Sequence, residues 1–202
     1  MGNEVKGALR ARGERYEGKI LLETNEIIFR GGDHRFKIAF GEMRRVTAEN
    51  GELRVDTKDG AKVFEVGAAA EKWREKILHP RTRAQKLGVK AGTRVRTVGD
   101  FAADFAKELR ASRAKLVPAD GSAVESTFLA AEARNSLAAL ARYAKTMRGA
   151  EALWVVYPKG KSEITEHDVL SAGRRAGLKD VKVVGFSPTH TALKFVLPVS
   201  GR

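Results

Sequence analysis

A glycine near the middle of the chain marks a place where a bound cofactor could meet bare backbone. Residues 87–101 read LGVKAGTRVRTVGDF, and the apolar strand in this segment ends at Gly99. Glycine-rich loops at such strand ends let the backbone close on a nucleotide-like cofactor. Here Asp100 and Phe101 follow, without a second or third glycine. The sequence therefore predicts a strand end of the cofactor-binding kind with a charge and a bulky ring in the loop.

Two acidic residues bear on such a site. Asp120 lies 21 residues after Gly99, where a carboxylate at the end of the next strand can hold ribose hydroxyls. Asp120-Gly121 is also an ordinary turn pair. Asp100 could cap the following helix, or could repel a ligand anion from the same backbone N–H groups. We favour the turn and the cap, and keep both carboxylates as candidate ligand-binding residues.

The segment from Tyr157 to Lys161, YPKGK, follows a buried apolar run. Strand ends of this kind form the ligand edge of α/β sheets. Lys159 and Lys161 could hold an anion there, and Tyr157 could stack or donate a hydrogen bond. Alternatively, Pro158 and Gly160 only shape the exit turn and both lysines are solvated. The segment is the best site candidate in the chain, with the two interpretations evenly weighted.

Other catalytic chemistry has little support in the sequence. The chain has no cysteine, which excludes thiolate chemistry and disulfides. No two histidines have metal-ligand spacing, and no serine lies in a nucleophile elbow. The histidines are His34, His79, His167 and His190. Thr165 to Asp168 reads as a capping box that opens a helix. We predict no catalytic residue and no metal site from these patterns.

Positive charge is concentrated in the second part of the chain. The formal net charge is +13, and residues 81–202 hold 22 Lys and Arg against 11 Asp and Glu. Residues 76–96 hold seven cations and no acid. Such a stretch attracts phosphate, anionic lipid or an acidic protein surface, or is a solvated linker. The candidate polyanion-binding residues are Arg81, Arg83, Lys86 and Lys90.

Alternating apolar runs and turn pairs organise the first part of the chain. The first dozen residues read as a frayed end, and six strands follow, with hairpin signals at Asn50-Gly51 and Asp59-Gly60. A helix from about 68 to 78 closes the unit before Pro80. Residues 14–80 resemble the pleckstrin-homology superfamily, especially its GRAM-like members. The residues that carry this loose resemblance are Gly18, Leu21, Thr24, Ile27 to Phe29 and Trp73.

Strands and helices alternate after a basic linker at 81–86, which indicates an α/β layer fold. The chain closes with two β-runs, 181–186 and 191–197, joined by a short turn. Residues 87–202 resemble a bacterial family of uncharacterised, shortened class I methyltransferase-like, Rossmann-like domains. The matching runs are ALWVVYPKG, GLKDVKVVG and TALKFV. The resemblance implies a sheet with a terminal antiparallel hairpin, one strand–helix pair short of a full enzyme.

The predicted architecture is therefore an α+β barrel of about six strands and one helix, followed by a reduced α/β domain. We expect a non-catalytic binding or scaffolding protein with an unidentified protein partner. One alternative is an S-adenosylmethionine-dependent methyltransferase with a modified cofactor loop. Another is a basic surface that binds nucleic acid, weakly and without sequence preference, or another polyanion.

Location and lipid binding follow from the same sequence features. No signal peptide or transmembrane run is visible, so we expect a cytoplasmic protein. Phosphoinositide-binding members of the pleckstrin-homology superfamily use a basic loop between their first two strands. The predicted connection is the acidic segment 23–26, so binding of that lipid is not expected.

Overall fold

The chain divides into two compact units, Met1–Arg81 and Thr82–Arg202. They are called the N-terminal unit and the C-terminal unit below. A computed structural model describes residues 3–118 and 124–199.

The N-terminal unit is a curled, antiparallel sheet of seven strands with one helix. The strands are β1 (Asn3–Ala11), β2 (Glu14–Leu22), β3 (Glu26–Gly31), β4 (His34–Ala39), β5 (Arg45–Glu49), β6 (Glu52–Thr57) and β7 (Gly60–Glu65). Their order in the sheet is β4-β3-β2-β1-β7-β6-β5. Two meanders, β1 to β4 and β5 to β7, are therefore joined where β1 pairs with β7.

The prediction of a frayed first dozen residues and six strands is wrong. β1 pairs with β2 over nine residues and with β7 on its other side. Leu9 is fully buried in the core of this unit. The sequence hides this strand because Gly7 and several charged residues interrupt its apolar alternation. In consequence, the connection between the first two strands is Arg12-Gly13 and not the acidic segment 23–26.

Glycines allow the sheet to curl at one corner. Gly7 in β1 lies opposite Gly18 in β2. A Cβ atom at Gly7 would lie 1.9 Å from the backbone oxygen of Glu65, and one at Gly18 would lie 2.3 Å from that of Arg30. β1 pairs with β7 only beyond Gly7, from Ala8 onward. The bare backbone at these two positions therefore lets neighbouring strands approach closely where the sheet bends.

Helix α1 (Ala70–Leu78) packs against the sheet of the N-terminal unit. Trp73 is 1% exposed, and Ala70 and Ile77 are buried on the same stripe. The predicted helix is confirmed, with its first turn starting slightly later than expected. Because Trp73 is among the largest buried side chains, it anchors the helix in the core.

The C-terminal unit is a mixed sheet of six strands with helices on both faces. Its strands are β8 (Arg94–Val98), β9 (Lys115–Val117), β10 (Ser126–Ala130), β11 (Ala152–Pro158), β12 (Lys179–Gly185) and β13 (His190–Val196). The order is β12-β13-β11-β10-β8-β9. β13 runs antiparallel to both neighbours, whereas β8 to β11 pair in parallel. The closing antiparallel pair that the methyltransferase-like resemblance implied is present.

Alternate residues of β11 separate the two faces of this sheet. Leu153 and Val155 pack in one core cluster with helices α4 (Ala138–Thr146) and α5 (Glu166–Arg175). Trp154 and Val156 pack in the other cluster with α2 (Arg83–Lys86) and α3 (Ala103–Ala111). All seven residues of β11 are buried, as expected for a central strand covered on both faces.

Several predicted boundaries in this unit need correction. The segment 81–86, predicted as a linker, is helical from Arg83, and Thr82 and Gln85 form a capping box. Helix α4 is preceded by a short 3₁₀ turn at 134–137. The capping box of Thr165 and Asp168 is confirmed at the start of α5. Among the helices in the described ranges, none has the length and apolar character needed to cross a membrane.

The glycine corner gives a stability prediction. Gly7→Ala is expected to destabilise the N-terminal unit by about 3 kcal/mol, because its Cβ would meet a backbone oxygen that cannot turn away. Gly41→Ala is the control, since that Cβ would meet no atom within 4 Å; its effect should stay below about 0.5 kcal/mol. Urea unfolding of the full chain measures both. Equal stability of the two variants would contradict the role assigned to Gly7.

Candidate functional site

The candidate site lies at the carboxyl edge of the C-terminal sheet. The parallel strands β8, β10 and β11 all end at this edge, because their registers run in the same direction. The antiparallel strand β13 starts there, with His190 opposite Pro158. Open α/β sheets bind ligands outside the carboxyl ends of their strands. The polar residues that follow these strands are therefore the ones to examine.

Gly99 ends β8 in a conformation that favours glycine. Its φ is +83°, in the left-handed region. A Cβ atom at Gly99 would lie 3.1 Å from Cβ of Ala130, at the end of the neighbouring strand β10. Both Gly99 and Asp100 are exposed. The predicted strand end is thus present, and its backbone is open to a ligand.

Phe101 points away from this exposed backbone. Its ring centroid lies 5.3 Å from that of Phe105 and 5.9 Å from that of Phe186. The half-buried ring therefore packs on the core cluster of α3 and does not cover the strand end. This differs from the prediction of a ring standing where backbone is needed. The sequence gives the residue type, but only the fold decides which way the ring turns.

Asp100 does not cap helix α3, contrary to the favoured prediction. The N-cap is Ala102, which provides no side-chain hydrogen bond. Asp104 lies within the first turn of α3 instead. The Arg83 guanidinium, with Nη2 3.0 Å from Asp104 Oδ2, is the main cause that holds the pKa of Asp104 below its usual range. Asp100 is left as an exposed carboxylate beside Gly99.

A carboxylate and an imidazole that the sequence did not connect meet at this edge. Glu132 Oε1 lies 3.2 Å from Nε2 of His190. The other ring nitrogen, Nδ1, lies 2.9 Å from Oγ1 of Thr189. The His190 side chain is 28% exposed and Glu132 is 68% exposed. A carboxylate-paired imidazole that solvent can reach is suited to accept a proton from a substrate.

The residues predicted from the YPKGK segment serve mainly structural roles. Lys159 Nζ donates a hydrogen bond of 2.8 Å to the backbone oxygen of Ser187, and Lys159 N donates one to Thr189 O. Tyr157 is buried, and its hydroxyl donates to Glu166 at 3.0 Å. Burial, and then this carboxylate, raise the pKa of Tyr157. Lys161 is exposed beyond the turn. The segment therefore fixes the β12–β13 connection to the strand edge.

The predicted polyanion residues fall into different environments. Arg83 is 15% exposed and pairs with Glu108 at 2.8 Å as well as with Asp104. Its guanidinium also lies over the rings of Phe105 and Phe186, at 4.9 and 4.7 Å from their centroids. Lys86 is half-buried, whereas Arg81 and Lys90 are exposed.

Two further predictions concern Asp120 and metal binding. Asp120, the predicted ribose ligand, lies outside the described residues. Within 3–118 and 124–199, no three His, Asp or Glu side chains come together as a metal site.

Comparison with known proteins gives structural likeness at low identity. No family model matches the chain, and no curated protein matches it in sequence. A SAM-dependent methyltransferase from Aquifex aeolicus is 15% identical with a TM-score of 0.43, covering 60% of this chain and 87% of that one. A TehB-like SAM-dependent methyltransferase from Corynebacterium glutamicum is 12% identical with a TM-score of 0.40, covering 64% and 96%.

A third solved structure is the C-terminal domain of an unknown protein from Leishmania infantum. It is 9% identical with a TM-score of 0.33, and covers 38% of this chain and 78% of that domain. Likeness at this level says nothing about what this chain binds or catalyses. The strand order and the edge residues of this chain are therefore the basis for its proposed function.

The Arg83 contacts give a second stability prediction. Arg83→Ala is expected to destabilise the C-terminal unit by about 2 kcal/mol, because it unpairs two carboxylates and removes packing from two rings. Arg81→Ala removes the same charge from an exposed site and should change stability by less than about 0.5 kcal/mol. Chemical denaturation of the full chain distinguishes them. If both variants match the wild type, Arg83 is not a structural residue.

A third prediction concerns the pH dependence of the Arg83–Asp104 pair. The pKa of Asp104 is lowered in the folded state, so its charge favours folding above the pKa of the unfolded chain. This contribution is lost as pH falls through the lowered pKa. Asp104→Asn should therefore be less stable than the wild type at neutral pH and approach it near pH 3. A constant difference in urea midpoint between pH 7 and pH 3 would contradict this explanation.

Proposed function

We propose that the C-terminal unit binds S-adenosylmethionine at the carboxyl edge of its sheet and transfers the methyl group to an O–H or N–H acceptor. The contact between Glu132 and His190 carries this proposal, because it provides a proton acceptor at the strand edge. Gly99 supports it, since its exposed backbone lies against the end of β10, two residues before Glu132. The antiparallel position of β13 supports it further.

The exposed residues at the edge suit the charge of this cofactor. S-adenosylmethionine carries a sulfonium and an ammonium group, and supplies an activated methyl group when it is bound. Asp100 and Glu132 are exposed carboxylates that follow adjacent strands, so both can favour a cation there. The cofactor carboxylate is less well served at α3, because the Asp104 carboxylate lies in the first turn of that helix and would repel it. Pairing of Asp104 with Arg83 reduces that repulsion.

His190 would act as the general base of the reaction. Its Nδ1 atom would take the proton from the acceptor oxygen or nitrogen as that atom bonds to the methyl carbon, while the methyl–sulfur bond breaks and the neutral thioether product leaves. Glu132 would stabilise the resulting imidazolium, because its carboxylate already lies against Nε2. The hydrogen bond from Lys159 to Ser187 keeps the turn before His190 in place. Lys159 is then a positioning residue, whereas the sequence left an anion ligand and a solvated lysine equally open.

A non-catalytic binding protein is the second candidate function. It is favoured by the single glycine at the end of β8 and by Asp104, whose carboxylate in the first turn of α3 would repel a ligand anion there. In this case the carboxyl edge would hold a protein partner or no ligand.

Both candidates accommodate a pleckstrin-homology-like N-terminal unit, which we also propose. The seven-strand order and the single buried helix α1 support it.

Cofactor binding is the fourth prediction. Isothermal titration of the full chain should show saturable one-to-one binding of S-adenosylmethionine and of its demethylated product. Asp100→Lys should weaken this binding roughly tenfold by repelling the sulfonium and ammonium groups. Glu151→Lys makes the same charge change just before β11, at the opposite edge of the sheet, and should leave binding unchanged. An absence of heat at millimolar ligand would favour the non-catalytic candidate.

The proposed base has its own test. His190→Gln should keep cofactor affinity but lower methyl transfer to a panel of phenol, alcohol and amine acceptors by about a hundredfold. His167→Gln, at an exposed position of helix α5, is the matched control and should retain the wild-type rate. Equal rates in both variants, with cofactor binding intact, would show that His190 is not the base.

A further inference from the structure

Five exposed cations lie around the amino edge of the C-terminal sheet, away from the candidate site. They are Lys90, Lys107, Arg110, Arg113 and Lys115, called the basic rim below. Two of them belong to α3, two to the segment that leads from α3 into β9, and one to the turn before β8. The rim therefore combines residues from three parts of the chain.

Backbone hydrogen bonds hold these parts together. Arg113 O accepts from Gly92 N at 2.9 Å, and Thr93 O accepts from Lys115 N at 2.8 Å. Arg113 N donates to Arg110 O at 2.9 Å, which ties the segment to the last turn of α3. Because backbone and not side chains makes these contacts, the cationic groups remain available at the surface.

The basic rim lacks neutralising carboxylates among the residues that the structure describes. None of its five side chains forms an ion pair or a hydrogen bond there. The two acids of α3, Asp104 and Glu108, are both held by Arg83. Glu125 is engaged as well, since its carboxylate accepts from the backbone N–H of Arg94 at 2.6 Å. None of these three acids forms an ion pair with a cation of the rim, so the five cationic groups can face a ligand directly.

Arg113 occupies a backbone position that favours glycine. Its φ is +55°, and the hydrogen bonds around it repeat the pattern at the end of α5. The corresponding residue after α5 is Gly177, with φ +77°. A non-glycine residue in this conformation is strained. The side chain of Arg113 can therefore be removed by substitution with glycine without a cost in stability.

We propose that the basic rim binds the phosphate backbone of double-stranded nucleic acid without reading its sequence. Five exposed cations that form no ion pair among the described residues can contact the phosphates of a duplex. All described aromatic side chains of the C-terminal unit are buried or half-buried, so base stacking is not available. A lipid surface is less well matched, because Leu116 is the one large apolar side chain exposed within the rim's segments.

This surface differs from the one that the sequence predicted. Of the four predicted polyanion residues, Lys90 alone belongs to the rim. Arg83 is held inside the unit, and Lys86 is half-buried. The cations that replace them come from α3 and from the strand after it, outside the acid-free stretch at 76–96.

Fluorescence anisotropy of a labelled DNA duplex with the full chain tests the proposal. If all five cations contact phosphates, the logarithm of the binding constant should fall with the logarithm of salt concentration with a slope of about −4 to −5. Two unrelated duplex sequences should bind equally. No binding at low salt, or a strong preference for one sequence, would overturn the proposal.

Arg113→Gly separates binding from folding. The variant should be at least as stable as the wild type, because glycine relieves the strained backbone. It should bind the duplex about fivefold to tenfold more weakly near 0.1 M salt, with a salt slope smaller by about one. Arg12→Gly, at φ +53° in the N-terminal unit, is the control with the same charge loss and the same relief of strain. It should keep wild-type affinity.

Three results would count against the basic rim. Equal weakening in the two glycine variants would show that net charge alone drives binding. An Arg110→Gln/Lys115→Gln variant with wild-type affinity would place the nucleic-acid site elsewhere. The third result uses vesicles of phosphatidylserine and phosphatidylcholine. If they bind the wild type, do not bind the Arg113→Gly variant and are not displaced by the duplex, the rim is a lipid surface instead.

Discussion

The antiparallel insertion of β13 between β11 and β12 is the constraint on which the C-terminal unit depends. A parallel strand at this position would start at the amino edge of the sheet. The antiparallel strand starts at the carboxyl edge and brings His190 beside Pro158. From there the imidazole reaches Glu132 at the end of β10. The candidate site therefore exists because one strand reverses its direction, and Lys159 secures the turn where it does so.

The cations of this unit have different roles when they are buried and when they are exposed. Arg83 lies between two aromatic rings and pairs with both acids of α3, so its charge is used inside the fold. By occupying those acids, it leaves the cations on the outer part of α3 without neighbours of opposite sign. The Arg83 contacts therefore leave Lys107 and Arg110 available to the basic rim. The same net charge in a linker would attract a polyanion with no defined surface.

The N-terminal unit shows how a few glycines can decide the shape of a sheet. Gly7 and Gly18 face each other where β1 leaves β7, and backbone oxygens fill the space that their side chains would need. Gly7 also interrupts the apolar alternation that would have revealed β1 in the sequence. The residue that makes the curled sheet possible therefore also conceals its central strand.

The sequence by itself determined most of the secondary structure. The turn pairs Asn50-Gly51 and Asp59-Gly60 flank the strand at 52–57 as expected, because turn pairs and apolar alternation act over a few residues. Gly99 at a strand end and the antiparallel closing pair were also predictable. The direction of the Phe101 ring, the start of α3 at Ala103 and the pairing of β1 were not. Each depends on contacts between segments that are distant along the chain.

Only the tertiary structure decided which polar residues meet. Glu132 and His190 are 58 residues apart, and no short-range pattern links them. Lys159 and Tyr157 looked like ligand residues because their types are suitable, yet their partners lie on β12–β13 and α5. Local propensity depends on neighbouring residues, whereas a site depends on side chains that folding brings together. The sequence therefore determined the strands and their edge, and the fold determined the chemistry at that edge.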